Sequence, residues 1–212
     1  SNFKSHLIFL NYFGAKVVGG AETGNSIHGN IKSPVSSRKE ASKEVWDKLL
    51  SGLNQLGKYS FEEFGIKLSY HHHVGTMIEN SAEVDRLLNE TDDRYVSLNY
   101  DCGHFYFANE NPLKALKKYM PRVSHIHLKD VRNNIKTEVE EQNLSFLEAV
   151  KLGVFTVPGD GDIEQMEEIL HYIKNQNYCG WVVVEAEQDS AVANPFEYAK
   201  MGYEFINKHL DL

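Results

Sequence analysis

Two apolar periods alternate along the chain. Short runs rich in β-branched and aromatic residues occupy 15–20, 66–70, 95–100, 123–128, 154–157 and 181–184. They are too short for helices, and each predicts a strand. Between them, apolar residues recur at three- and four-residue spacing over 42–64, 83–89, 112–119, 145–151, 163–175 and 195–209, which predicts helices. Some starts are marked: Asp162 precedes Ile163, and Asn194 precedes Pro195, an acceptor side chain followed by a residue suited to the first turn. A further helical pattern over 3–12 leads into the first strand.

From the second strand onward, strand centres recur at about thirty residues, one βα unit, so the fold class is α/β with a parallel sheet covered by helices. The continuous valines of Val17, Val18 and of Val182, Val183, Val184 suit strands buried on both faces. The gap between the first two strands holds a Gly-, Asn- and Ser-rich stretch, 24–37, that predicts a long loop on the functional face and a lid. Strand after strand ends in ionisable groups: Glu22; His71, His72, His73; Asp101 with His104; His125, His127 and Asp130; Glu185 and Glu187. An open sheet gathers its chemistry at one switch point, whereas a closed barrel brings every strand end to one mouth. Contributions from so many strands predict a (β/α)8 TIM barrel. About six of its eight strands are visible, so 1–212 is expected to be a single β/α-barrel domain, N-terminally truncated, with the first one to two βα units missing.

Composition narrows the partners. With 42% hydrophobic and 25% charged residues the chain is expected to fold rather than stay disordered. Lys and Arg number 22 against 30 Asp and Glu, a net charge of −8, which gives no footprint for nucleic acid. The two cysteines, Cys102 and Cys179, are far apart, cannot frame a disulfide scaffold and fit a reducing, cytoplasmic setting. No run reaches the roughly 18 apolar residues of a membrane span, and residues 1–10 lack a signal-peptide pattern. A homo-oligomer stays open.

Six of the ten histidines fall between 71 and 127, all at strand ends. Imidazoles and carboxylates at one mouth make a mixed N/O site for a borderline divalent cation such as Mn²⁺, Co²⁺, Fe²⁺ or Zn²⁺. Strand parity pairs His71 with His73, His125 with His127 and Glu185 with Glu187, and one of each pair is expected to reach the metal. Plainer roles compete: His125 as a buried hydrogen-bonding group, Asp101 as a turn cap, 157–162 as a turn followed by a helix cap, and Trp46 and Trp181 as core. Lys129, Asp130 and Arg132 at the same rim are either solvated loop charges or groups that polarise a carbonyl and hold a hydroxyl.

Taken together, Tyr70-His71-His72-His73-Val74-Gly75-Thr76, Asp101-Cys102-Gly103-His104, His125-Ile126-His127-Leu128-Lys129-Asp130-Val131-Arg132, Ser145-Phe146-Leu147, Gly153-Val154-Phe155-Thr156-Val157-Pro158-Gly159-Asp160-Gly161 and Val184-Glu185-Ala186-Glu187-Gln188-Asp189 resemble the inosose dehydratase family of the xylose-isomerase-like barrel group. The resemblance covers the whole chain. It implies dehydration of the cyclic polyol ketone 2-keto-myo-inositol to a trihydroxycyclohexane dione in inositol catabolism, a Mn²⁺ or Co²⁺ requirement with Zn²⁺ as a further option, and an association with glutathione that no residue reveals. Related barrel epimerases hold their metal with Glu, Asp, His and Glu, and the matching positions are His71, Asp101, His127 and Glu185. One carboxylate is thus a histidine here, a departure expected to favour elimination over epimerisation. Cys102 stands where relatives more often carry Thr, and no role is assigned to it.

The implied chemistry is enolisation followed by loss of a β-hydroxyl. Glu185 or Glu187 is the first expectation for the base and Lys129 the second, with His104 as an imidazolium acid. His73, Asp130, Arg132 and Glu22 complete the expected site as substrate contacts. A keto-sugar isomerase or epimerase on the same barrel shares the enolisation. A metal-dependent endonuclease is disfavoured by the charge, and a non-catalytic polyol- or metal-binding module stays open because fold alone does not prove turnover.

Overall fold

The computed structural model describes residues 2–210. Helix α1 (Asn2–Tyr12) leads into strand β1 (Val17–Gly20). Helix α2 (Lys43–Phe64) starts at Ser42, whose side chain accepts from Val45 N–H, and stops at Gly65, which takes the left-handed conformation at φ 65°. Its buried positions Trp46, Leu50, Leu53, Gly57 and Ser60 follow the expected helical spacing. Gly57 lets the helix lie against the backbone of Tyr95, since a Cβ there would sit 3.0 Å from the Tyr95 carbonyl oxygen.

Then come β2 (Lys67–His71), α3 (Ser81–Asn89), β3 (Val96–Asp101), α4 (Cys102–Phe107), α5 (Pro112–Tyr119) and β4 (Val123–Leu128). The rest comprises β5 (Asp130–Val131), α6 (Asn133–Glu141), α7 (Phe146–Leu152), β6 (Phe155–Thr156), α8 (Met166–Asn175), β7 (Val182–Val184) and α9 (Pro195–Leu210). The main sheet is parallel, in the order β1-β2-β3-β4-β7. Leu68, Tyr70, Val96, Leu98, Tyr100, Ile126 and Leu128 are buried in its core. Register puts His71 beside Asn99, Asn99 beside His125, and Asp101 beside His127. Below the imidazoles, Ser124 Oγ pairs with Ser97 Oγ and donates to Ser69 Oγ at 3.0 Å, a polar layer inside the curl of the sheet.

The structure corrects four expectations. Residues 154–157 do not join the parallel sheet: only β6 is extended, it pairs antiparallel with β5, and β4 lies directly beside β7. Asp130 causes this by gathering backbone amides of the 159–163 segment, which turns that segment back toward β5. Asp162 does not cap α8, which starts after Gln165; its carboxylate accepts from Asn133 N–H instead. Trp181 is 75% exposed beside the edge strand β7, whereas Trp46 is core. The 24–37 segment is not a free lid: Ile27 N–H donates to the Gly75 carbonyl at 2.8 Å, Val35 N–H to that of Leu144 at 2.9 Å, and Pro34 bridges Ser145. No described helix is long and apolar enough to cross a membrane.

Candidate active site

Lys129 stands at the centre of the strand ends. Its side chain is fully buried, and its ammonium lies 2.8 Å from Glu185 Oε2 and 3.5 Å from Asp101 Oδ2, in direct contact with Glu187 Oε2 and 2.9 Å from His104 Nε2. Cys102 fixes the backbone beneath it: the thiol donates to the Lys129 carbonyl at 3.1 Å, and Lys129 N–H donates to the sulfur at 3.3 Å. The aliphatic stem runs over Gly103, where a Cβ would come within 2.6 Å of Lys129 Cγ. Gly103→Ala is therefore expected to push the ammonium out of place, lowering kcat at least tenfold and stability by about 1–3 kcal/mol, the usual cost of overpacking; paired kinetics and urea unfolding read both, and an unchanged kcat would disconnect this contact from the chemistry.

Five of the strand-end histidines surround this centre. His71 Nε2 is 3.4 Å from Asp101 Oδ2, and His127 Nδ1 is 3.6 Å from Asp101 Oδ2 and 3.1 Å from Glu185 Oε2. His73 Nε2 is 3.4 Å from Glu187 Oε1, and His104 Nε2 is 3.4 Å from Glu187 Oε2. His72 accepts from Asp101 N–H at 3.2 Å and so positions that residue. Asp101 does double duty, since its Oδ1 accepts from His104 N–H and caps α4 while Oδ2 faces the cluster. Among the described residues, ligand atoms lie within 4.8 Å of one another in two groups, His71, Asp101, His104, Glu185 and His73, His104, Glu187. His104 takes the place expected of His127 in the first group.

Electrostatics assigns protonation. Burial opposes the charge on Asp101, but the Lys129 ammonium and three imidazoles override it and hold the carboxyl well below its ordinary range. Burial likewise opposes ionisation of Glu187, and Lys129 and His73 bring it down to about 2. Burial works against the Lys129 charge too, yet Asp101, Glu187 and Glu185 raise its pKa above the ordinary lysine value. Lys129 is thus an ammonium donor and not the base expected as second choice. His104 is also corrected: burial, the His73 ring and the Lys129 ammonium push it well below the usual imidazole range, so it is neutral and cannot serve as the imidazolium acid.

Two further contacts orient imidazoles in the cluster. His73 Nδ1 lies 2.7 Å from the Val74 carbonyl, a contact that turns Nε2 toward Glu187 Oε1. The Asn99 amide lies 3.2 Å from His127 Nε2, and Asn99 Oδ1 is buried with no partner. Turned end for end, the amide lets Oδ1 accept from His127 Nε2–H, while the ring's Nδ1 faces Asp101 and Glu185. Parity alone does not bring the two glutamates here, because β7 ends at Val184. Both nonetheless reach Lys129, Glu187 doing so from a left-handed backbone, φ 43°.

Other expected contacts lie elsewhere. Asp130 is buried, with Oδ1 accepting from Val131 and Ile163 N–H and Oδ2 from Gly159 N–H; its acceptors are engaged by backbone, so it anchors a loop. Arg132 is similarly engaged with the Gly153 carbonyl, Thr156 and Asp160. His125 is half-buried beside His127, with ring centroids 5.3 Å apart. Glu22 sits at the end of β1, one oxygen accepting from Asn25 N–H and the other buried without a partner. Sequence reasoning missed Asn99 and His28. Strand parity with Asp101 was a signal for Asn99, but nothing local marks His28 within its loop.

A family model described as a xylose isomerase-like TIM barrel matches residues 1–209. The inosose dehydratase of Bacillus thuringiensis (strain Al Hakam) is 48% identical over 211 residues, covering 99% of this chain and 70% of that protein. The chain belongs to the inosose dehydratase family. Solved structures of the same barrel group superpose at much lower identity. The IOLI protein, with a bound zinc atom, gives a TM-score of 0.71 at 17% identity over 100% of this chain and 70% of that one. The probable 3-DHS dehydratase AsbF of Bacillus anthracis gives 0.74 at 14% identity over 97% and 68%. These likenesses support the barrel fold that places the inosose dehydratase family motifs at one mouth.

Proposed function

We infer that this chain dehydrates inosose, a cyclic polyol ketone, with the help of a divalent cation. The observation that carries the reading is the cluster in which the buried Lys129 meets Asp101, Glu185 and Glu187, ringed by imidazoles, in a chain 48% identical to a protein named inosose dehydratase.

The cluster's charge suits a divalent ion. Three carboxylates against one ammonium leave two negative charges when the imidazoles are neutral, and in the structure His127 answers that surplus by being pushed up to about 9, burial notwithstanding, by Asp101 and Glu185. We assign the ion to His71, Asp101, His127 and Glu185, with His104 reserved for its bond from Lys129. Mn²⁺ or Co²⁺ is our choice, and Zn²⁺ also suits a mixed nitrogen and oxygen set. When bound, the ion acts as a Lewis acid on the ketone oxygen.

The chain's own groups do the proton work. Glu187, ionised and outside the ion's ligand set, takes the proton from the carbon beside the ketone. Lys129 donates hydrogen bonds where negative charge develops and gives a proton to the departing β-hydroxyl, which leaves as water. The contact between Lys129 and Glu187 then returns the proton to the amine and restores both groups. The enol left behind tautomerises to the dione.

Chelator-stripped protein is expected to be inactive on inosose and to recover at least tenfold with Mn²⁺ or Co²⁺, read by the ultraviolet absorbance of the dione; glutathione is run as a separate arm. Solvent deuterium entering recovered substrate without dione would instead identify an epimerase or isomerase. Full turnover in chelator would overturn the assigned ion.

A further inference from the structure

The 21–38 segment lies between β1 and α2. It is strapped across the mouth at several points. Ile27 N–H donates to the Gly75 carbonyl, Gly75 is left-handed at φ 74°, and a Cβ there would meet the His28 backbone at 3.3 Å. Farther along, Arg38 donates to the Thr76 carbonyl at 3.1 Å and pairs with Glu79 and Glu83 at 3.3 and 2.8 Å. These ties hold the His28 ring 5.0 Å from the His73 ring and 6.2 Å from Phe146, one ring beyond the imidazole that reaches Glu187. His28 Nδ1 is buried with no hydrogen-bond partner, and so is Glu22 Oε2 at the start of the same segment. Buried polar atoms are nearly always paired, and two orphans on one fixed wall beside a polar cluster call for a polar ligand.

Resting on the proposed dehydration of a polyol ketone, the geometry points to His28 as a substrate-contact residue: its Nδ1, together with Glu22 Oε2, binds ring hydroxyls on the side away from the ketone. The ketone end belongs to the Lys129 cluster, and the His28 wall lies past His73 from it. The pair reads hydroxyls rather than charge, because an imidazole nitrogen and one carboxylate oxygen match an O–H that both donates and accepts. This makes the segment a fixed selector for a hydroxylated ring and separates binding from chemistry.

Steady-state kinetics with inosose and Mn²⁺ test it. His28→Phe keeps the ring packed on His73 and Phe146 but removes the nitrogen, and is expected to raise KM about tenfold, the equivalent of one good hydrogen bond, with kcat within about threefold. His28→Asn, which keeps a polar atom near the Nδ1 position, is expected to stay within about threefold of the unaltered protein. Glu22→Gln moves KM in the same direction as His28→Phe. An inosose lacking the hydroxyl opposite the ketone should erase the difference between His28→Phe and the unaltered protein. Matching thermal unfolding curves confirm that each variant is folded. An unchanged KM in His28→Phe, or an equal penalty on the deoxy substrate, overturns the inference. Calorimetric titration with myo-inositol in the presence of Mn²⁺ separates it from the reading it rests on. An unaltered protein that binds the polyol more tightly than His28→Phe but forms no dione sinks the dehydration and upholds the contact; equal binding by both sinks the contact.

Discussion

Lys129→Met is expected to lower kcat about a thousandfold with inosose. The substitution removes the proton donor and the preorganised positive charge together, and each alone contributes on the order of a hundredfold or more. It also leaves Asp101, Glu185 and Glu187 facing one another without their shared ammonium. Breaking a buried ion pair from one side typically costs about 3–5 kcal/mol, so the metal-free variant should unfold at markedly lower urea. Lys129→Met with Glu187→Gln removes one charge of each sign. That double variant is expected to recover much of the stability and none of the turnover, which separates a folding defect from a chemical one. A Lys129→Met protein within tenfold of the original kcat would remove Lys129 from the mechanism.

The second large effect is on stability. Asp130→Ala strips the acceptors from Val131, Gly159 and Ile163 N–H. Each buried donor left unpaired costs about 1–3 kcal/mol, and water reaching the loosened loop returns part of that, so the loss should be about 2–4 kcal/mol by urea unfolding. Asp130→Asn keeps an acceptor oxygen and should lose less. The sign of the kinetic effect decides the residue's role. A loop anchor lowers stability with a modest change in KM. A loss below about 1 kcal/mol with KM raised tenfold would instead return Asp130 to the substrate.

Much of this was legible because strand ends in a parallel sheet are spatially convergent whatever the details. Convergence brought the strand-end histidines and acids into view together, whereas the choice of His71, Asp101, His127 and Glu185 among them came from the family resemblance, and His104 stands in the first group where His127 was expected; Val123–Leu128 and Pro112–Tyr119 were bounded to the residue by periodicity and Pro at the helix start. What escaped depended on contacts between distant segments. Helix α4 begins within the Asp101 cap itself and α6 is mostly polar, so neither has an apolar stripe long enough to read. The failed strand at 154–157 has strand-like residues but answers to Asp130, more than twenty positions earlier. Protonation was the least legible layer: His104 looks like any imidazole in sequence, and only its complete burial against an ammonium makes it neutral. His28 was hidden in a loop whose composition suggested mobility, while the ties that fix it lie on Gly75 and Leu144.

Glu187 holds its carboxylate against Lys129 only by keeping a backbone angle that L-residues other than asparagine resist. Replacement by glycine would relieve that tension while deleting the carboxylate. Heat resistance and turnover therefore both favour keeping the glutamate, since the ion pairs lost with it outweigh the eased backbone, and position 187 is one where an awkward angle is held in place by the charge it carries.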